Sequence, residues 1–174
     1  MKKAIVVYDT KYGNTEKIAR ALTRGMEKQG IKVDCAKADE VDVYKLVEYD
    51  FITIGGPTHR RSVSTPINNL LIKLKDMNLK GKKAYAFDTR RGFWLAGSAG
   101  KEIESRLKGL GMNIIKPYSS AIIFNEEKGG RQKSESKEEW KERHHRSEGL
   151  QEGMAEKFEQ IGVEIAELIH DDIS

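Results

Sequence analysis

The sequence contains one cysteine, Cys35, among 174 residues. A lone thiol excludes an internal disulfide framework, a cysteine-based zinc site and an iron–sulfur cluster. It also makes a reducing cytoplasm the expected compartment. Long apolar runs are missing too: none approaches the roughly 18 residues needed to span a bilayer, so no membrane span is expected. Met1-Lys2-Lys3 leads straight into a short apolar run without a small-residue cleavage site, and no signal peptide is expected. Neither charge sign dominates, with 31 Lys and Arg against 27 Asp and Glu, a net charge of +4 and a pI near 9.0. That mild basicity permits anionic partners without marking a nucleic-acid binder. Hydrophobic residues make up 38% and charged residues 33%, with a mean hydropathy of −0.62. Average domains have roughly 45–50% apolar and 25% charged residues, so the core is modest or part of the chain stays outside it. The length fits one domain of roughly 100–200 residues.

What is present is an alternation of short apolar runs and amphipathic patterns. Ala4-Ile5-Val6-Val7-Tyr8 is β-branched and nearly continuous, the pattern of a strand buried on both faces. Ile18, Ala19, Leu22 and Met26 follow at helical spacing within 14–29, with Gly30 as the stop. Val33–Ala38 reads as a second strand and Phe51–Ile54 as a third, ending in Gly55-Gly56-Pro57. Pro66 marks a helix start before Leu70, Leu71 and Leu74. Ala84–Phe87 is a fourth strand, and Ile103, Leu107 and Leu110 stripe a helix over 98–110. Ile114-Ile115 and Ala121–Phe124 together make a fifth strand interrupted near Pro117, and Met154, Phe158, Ile161, Ile165 and Leu168 form a last helical stripe. This predicts an α/β fold: a doubly wound, five-stranded parallel sheet with helices on both faces. Ligands of such sheets bind beyond the carboxyl ends of the strands, at the topological switch point. Attention therefore falls on the loops beginning at Thr10, Gly55 and Asp88.

Residues 126–150 break the pattern. They hold seven acids, seven Lys or Arg and the pair His144-His145, with only Trp140 and Leu150 large and apolar. The segment is expected to be a charged, solvated insertion or a mobile helix in a single domain, between the fifth strand and the last helix.

The loop after the first strand, Thr10-Lys11-Tyr12-Gly13-Asn14-Thr15, has the makings of a phosphate cradle. Gly13 permits a tight turn and close backbone approach. The following helix start offers unpaired N–H groups and a positive dipole end. Thr10, Asn14 and Thr15 add hydroxyl and amide donors. The alternative is a plain strand–helix turn in which Asn14 or Thr15 caps the helix. The loop lacks both the Gly-Lys-Ser/Thr ending of a nucleoside-triphosphate loop and the spaced glycines of a dinucleotide fingerprint.

These residues resemble the flavodoxin family. Thr10-x-Tyr12-Gly13-Asn14-Thr15 is similar to its phosphate loop for flavin mononucleotide (FMN). Ile54-Gly55-Gly56-Pro57-Thr58, Phe87-Asp88-Thr89 and the helix-like stretch Gly97–Leu107 fall at matching places. The resemblance covers about residues 1–124 and the last helix. It implies a flavodoxin-like sheet in the order 2-1-3-4-5 with FMN at the switch point. It further implies that the loops after strands three and four clasp the flavin ring. The cofactor-binding residues expected are Thr10, Lys11, Tyr12, Gly13, Asn14 and Thr15; Pro57, Thr58, His59 and Arg60; and Asp88, Thr89, Arg90, Gly92, Phe93 and Trp94. Trp94 is the candidate stacking aromatic, with Phe93 as substitute; otherwise Trp94 packs on the next helix. His59 stands where the family often stacks an aromatic on the opposite face; otherwise it is an exposed loop histidine.

Two departures from the family pattern carry consequences. Arg60 lies near a position the family commonly fills with glycine, where a peptide flips toward N5–H of the reduced ring, and a positive φ costs an arginine more. The half-reduced flavin is then less favoured. Arg60, Arg61, Arg90 and Arg91 also crowd loops that the family tends to line with acids. Cations beside the ring favour the anionic reduced form and predict a less negative potential than is typical, unless the arginines point into solvent and are screened.

His144-His145 offers no third metal ligand, and neighbouring histidines on a helix diverge. Cys35 sits in a strand pattern and reads as packing. The leading expectation is a cytoplasmic, FMN-bound electron carrier, monomer or homodimer, with no catalytic residues of its own. It takes electrons from a reductase or ferredoxin-like donor and passes them to another enzyme. A basic docking face suits acidic partners. A second class is a flavin enzyme on the same fold: an NAD(P)H or quinone oxidoreductase, or one like protoporphyrinogen oxidase, which carries extra basic sequence after its fifth strand. A third is an interaction module that works through the charged segment.

Overall fold

The computed structural model describes residues 1–125, 130–146 and 148–171, without the side chains of Trp94, Asn125, His145, Arg146 and Glu148. In chain order the elements are β1 (Lys3–Tyr8), α1 (Asn14–Lys28), β2 (Lys32–Lys37), β3 (Phe51–Pro57), α2 (Thr65–Lys73), β4 (Lys83–Arg91) and α3 (Ala99–Gly109). There follow β5 (Asn113–Ile114), β6 (Ser119–Asn125), α4 (Lys137–Arg146), β7 (Glu148–Leu150) and α5 (Met154–His170). Short 3-10 turns cover Val43–Glu48, Leu74–Asp76 and Trp94–Ala96.

The strands form one sheet in the order β2-β1-β3-β4-β6-β7, with β5 also paired to β4. The strand pairs from β2 to β6 are parallel, so the predicted α/β class holds. The expected 2-1-3-4-5 order is preserved once β5 and β6 count as one broken fifth strand. The break has a physical cause. Asn113 and Ile114 pair with Lys83 and Ala84, and pairing resumes only at Ser119 opposite Phe87. Pro117, which has no N–H, lies in the gap, and the Tyr118 N–H is taken instead by the Glu104 carboxylate at 2.6 Å.

Two corrections concern the sheet. It is not five parallel strands alone, because β7 pairs antiparallel with β6 (Ile123↔Leu150, Asn125↔Glu148). Without β7, β6 would present an open edge, and Leu150 packs against the core there. Part of the predicted insertion is therefore sheet, and part is the helix α4; residues 126–129 and 147 lie outside the described residues. In addition, β4 runs on to Arg91, pairing Thr89 with both Pro57 and Ala121. Asp88, Thr89 and Arg90 thus sit on a strand rather than in a loop.

Both faces of the sheet are covered, as the unbroken apolar character of β1 requires. Ala4, Val6 and Tyr8 join Phe51, Tyr85 and Phe87 under α1 and α5, whereas Ile5 and Val7 join Ile52 and Ile54 under α2 and α3. Helices α1 and α5 meet closely where glycines face each other. A Cβ on Gly162 would lie 2.4 Å from the Leu22 carbonyl oxygen and 3.0 Å from the Gly25 Cα. This packing fixes the start of α1 over the sheet's carboxyl edge.

Candidate functional site

The carboxyl ends of β1, β3 and β4 gather the three loops singled out by the sequence. After β1 the chain turns on Gly13, whose φ of 90° puts it in the left-handed region. A Cβ there would meet nothing within 4 Å, so the glycine serves the backbone angle rather than the space. The Gly13 N–H donates to the Thr10 hydroxyl at 2.9 Å, which closes the turn. Gly13 is also the N-cap of α1 and has no side chain with which to cap it. The first amides of α1 therefore face outward with the helix dipole behind them. Asn14 and Thr15 are buried, and the Thr15 hydroxyl lies 2.8 Å from that of Thr89 on β4.

Next to this cradle stand Lys11, exposed, and Tyr12, half-buried. The Lys11 ammonium lies 5.0 Å from the Tyr12 ring centroid. Its pKa is raised above lysine's ordinary value by the hydrogen bond with Tyr12 and the nearby charge of Glu142. Glu142, on α4, accepts a hydrogen bond from the Tyr12 hydroxyl at 3.1 Å.

The β3 and β4 ends are joined through one carboxylate. Asp88 is fully buried, and its Oδ2 accepts from the Thr58 hydroxyl (3.0 Å), the Ser98 hydroxyl (2.7 Å) and the Gly100 N–H (2.9 Å). Its Oδ1 is buried with no partner. The Thr58 hydroxyl in turn accepts from the Ala99 N–H at 2.9 Å, and the Thr58 N–H donates to the Thr89 carbonyl at 2.8 Å. The charge of Asp88 thus faces the amino end of α3, where the helix dipole favours it.

Beyond Thr58 the chain makes a two-residue reverse turn. His59 and Ser62 exchange both backbone hydrogen bonds at 2.9 Å, with Arg60 at φ 47° and Arg61 at φ 70° between them. Two consecutive positive φ values define the type I′ geometry that ordinarily selects Asn-Gly. The expected cost of a positive φ at Arg60 is therefore incurred, and at Arg61 as well: both arginines occupy this region, held by the closed hairpin. Arg61 also bridges to Gly97, where a Cβ would lie 2.7 Å from the Arg61 Cα. Neighbouring Ser62 donates to Glu102 on α3 at 2.7 Å.

Of the other expected residues, Pro57 and Arg90 are half-buried, and His59, Gly92 and Phe93 are exposed. Arg90 Nη1 lies 3.4 Å from the Gly97 carbonyl, and its Nε is buried without a partner. The backbone of Trp94, the candidate stacking aromatic, belongs to the 94–96 turn; its side chain lies outside the described residues. His144 stacks on Trp140, with ring centroids 5.1 Å apart. No group of three metal-ligating side chains occurs among the described residues.

An uncapped helix start beside two loops pinned together at the switch point is an arrangement for a phosphorylated, planar ligand. A family model described as flavodoxin matches residues 6–143. The chain belongs to the flavodoxin family. It is 28% identical over 127 residues to a flavodoxin of Clostridium saccharobutylicum, covering 72% of this chain and 78% of that one. It is 32% identical over 117 residues to a nitric oxide reductase of Moorella thermoacetica, covering 65% of this chain but only 29% of the reductase. The fold of a flavodoxin from the domain Archaea superposes with a TM-score of 0.73 at 22% identity, over 97% of this chain and 99% of that one.

Membership in the flavodoxin family brings a flavin cofactor, and the residues present fit one. The cradle supplies amides and hydroxyls without competing side-chain caps, and Asp88 Oδ1 and Arg90 Nε are buried polar atoms lacking partners beside the ring loops. The resemblance did not reveal Ser98, Gly100 or Glu142 as parts of this region. Ser98 had a local signature, since it caps α3 through the Lys101 N–H at 3.1 Å. Glu142 had none, because its contact spans 130 residues of sequence.

Proposed function

We propose that this flavodoxin is an FMN-dependent electron carrier between redox partner proteins. The observation that carries the reading is the helix α1 start behind Gly13, which has no side-chain cap and is ringed by the hydroxyls of Thr10 and Thr15. FMN, when bound, supplies the one- and two-electron chemistry. The protein's own residues bind and orient it. Residues Thr10–Thr15 receive the phosphate on amides and hydroxyls. The 57–62 and 88–94 segments clasp the ring, held at a fixed spacing by Asp88.

The partner class follows from charge. Arg60 and Arg61 are exposed and rigidly presented, and among the described residues neither has a carboxylate partner. Exposed Phe93 and Leu95 lie on the facing loop. A cationic rim around an apolar centre suits an acidic donor or acceptor such as a ferredoxin-like protein. Exposed Arg60 and Arg61 are screened, so the preference for the anionic reduced cofactor rests on half-buried Arg90, and each ~1.4 kcal/mol of that preference moves a one-electron couple by ~59 mV.

The test begins with the absorbance spectrum of the purified protein and an FMN titration of the flavin-free form. Stepwise spectroelectrochemical reduction follows. Stoichiometric FMN with a second couple less negative than usual for the family supports the reading. A protein that fails to bind FMN refutes it. Steady turnover of NAD(P)H with a quinone would transfer the assignment to the enzyme class.

A further inference from the structure

The proposed phosphate loop already faces an anion supplied by the chain itself. Glu142 accepts from the Tyr12 hydroxyl at 3.1 Å and lies 3.6 Å from the Lys11 ammonium, so one carboxylate engages both side chains at the mouth of the loop. The helix bearing it is built to stand on local interactions. Ser136 and Glu139 form a reciprocal capping box, with Ser136 N–H to the Glu139 carboxylate at 2.7 Å and Glu139 N–H to the Ser136 hydroxyl at 3.0 Å. Arg143 pairs with Glu135 at 2.9 Å, and Trp140 stacks on His144 one turn along. Such an element can leave the loop largely helical, yet at ten residues it frays more readily once undocked. The Glu142 side chain, 43% exposed, is docked at a surface rather than locked in a core.

We infer that Glu142 is an internal competitor for the cofactor's phosphate, so that the charged segment between β6 and β7 sets how tightly the flavin is held. The inference rests on the FMN reading above. A phosphate dianion on the first amides of α1 and the Glu142 carboxylate on Lys11 and Tyr12 carry like charge at neighbouring places. Each weakens the other's hold, and binding of one favours release of the other. Repulsion between neighbouring like charges at a solvated surface is about 1 kcal/mol, which sets the expected effect at roughly three- to tenfold in affinity.

The experiment titrates flavin-free wild-type protein, Glu142→Gln and Glu138→Gln with FMN and with riboflavin, reading flavin fluorescence. Glu138 lies on the same helix, is exposed, and among the described residues makes no bond to the loop. Glu142→Gln is expected to bind FMN three- to tenfold more tightly than wild type and to bind riboflavin, which lacks the phosphate, equally. Glu138→Gln is expected to match wild type. Amide exchange over 137–146 is expected to quicken when FMN is added to wild type. The inference is overturned if Glu142→Gln binds FMN no better than wild type, if Glu138→Gln tightens binding as much, if riboflavin gains as much as FMN, or if the helix becomes more protected with FMN. If no variant binds FMN, the cofactor assignment itself fails, and this inference with it.

Discussion

Replacing Asp88 by alanine should destabilise the flavin-free protein by about 2–4 kcal/mol. The substitution leaves three donors facing a void: the Thr58 and Ser98 hydroxyls and the Gly100 N–H. A buried donor left unmet costs about 1–3 kcal/mol. The two hydroxyls rotate and fall at the low end, while the Gly100 N–H is fixed by α3 and falls at the high end, for a gross cost of about 3–5 kcal/mol. Against this stands a saving, because Asp88 Oδ1 is buried with no partner and alanine removes that desolvated atom. Asp88→Asn keeps the volume and one acceptor oxygen but gives up the charge that strengthens all three bonds, and should cost about 1–2 kcal/mol. Urea unfolding of the flavin-free proteins should show wild type as most stable, then Asp88→Asn, then Asp88→Ala, at constant m. A chain of this size loses about 2–4 °C of Tm per kcal/mol, so Asp88→Ala should melt roughly 5–15 °C lower. If Asp88→Ala lies within 1 kcal/mol of wild type, or Asp88→Asn falls below Asp88→Ala, the carboxylate does not pin the two loops together and the argument fails.

Gly162→Ala should lower Tm, since the new methyl meets the backbone of α1 at Leu22 and Gly25 and neither can yield; the clash outweighs the ~1 kcal/mol gain in helix propensity. Gly109→Ala, where nothing lies within 4 Å, is the control and should be neutral or stabilising. Converting Arg60-Arg61 to Asn-Gly should raise stability by about 1–2 kcal/mol in urea unfolding by relieving two positive φ values. It should also slow electron exchange with an acidic partner most at low salt; unchanged stability would show that the turn is unstrained. The Tyr49 hydroxyl is pushed up to about 12 by burial and by its 2.6 Å hydrogen bond to Asp34. Because the folded state holds this proton more tightly than the unfolded chain, the stability it contributes is complete below about pH 10 and is lost as pH rises toward 12. Tyr49→Phe should therefore be less stable than wild type at neutral pH, and the gap in Tm should close above about pH 10; a gap that stays constant with pH would refute the linkage.

Much of the fold was legible because β1 is apolar throughout Ala4–Tyr8, and only a strand covered on both faces can use such a run. The same holds for the helical stripes of α1 and α5, which turn toward one side of the sheet, except that Leu168, expected in the last stripe, is exposed and Ile169 takes the core position instead. Even the interruption of the fifth strand was visible in Pro117, a residue that cannot donate to the ladder. What escaped was set by partners distant in sequence. Three residues of low strand propensity, Glu148-Gly149-Leu150, became β7 only because β6 offered an edge. The run Asp88-Thr89-Arg90-Arg91 is polar enough to read as a loop, but it extends β4 because Pro57 on one side and Ala121–Ile123 on the other continue the ladder.

The site divides along the same line. The proposed phosphate loop is a local device, a glycine turn leading into a helix start, and local devices leave local signatures. The proposed ring clasp depends on Asp88 reaching Thr58 thirty residues back in the chain, and on two arginines accepting a conformation that their own chemistry disfavours. Backbone strain of that kind persists only where surrounding structure over-determines it. Here the paired backbone bonds of His59 and Ser62 close the turn, and the contact between Arg61 and Gly97 fixes it against the facing loop. Asparagine and glycine would make the same turn at lower cost, so the arginines contribute something that the fold alone does not require. They lie exposed at the rim of the proposed cofactor site, without carboxylate partners among the described residues, and charge presented to an incoming redox protein is the property we propose their strain sustains.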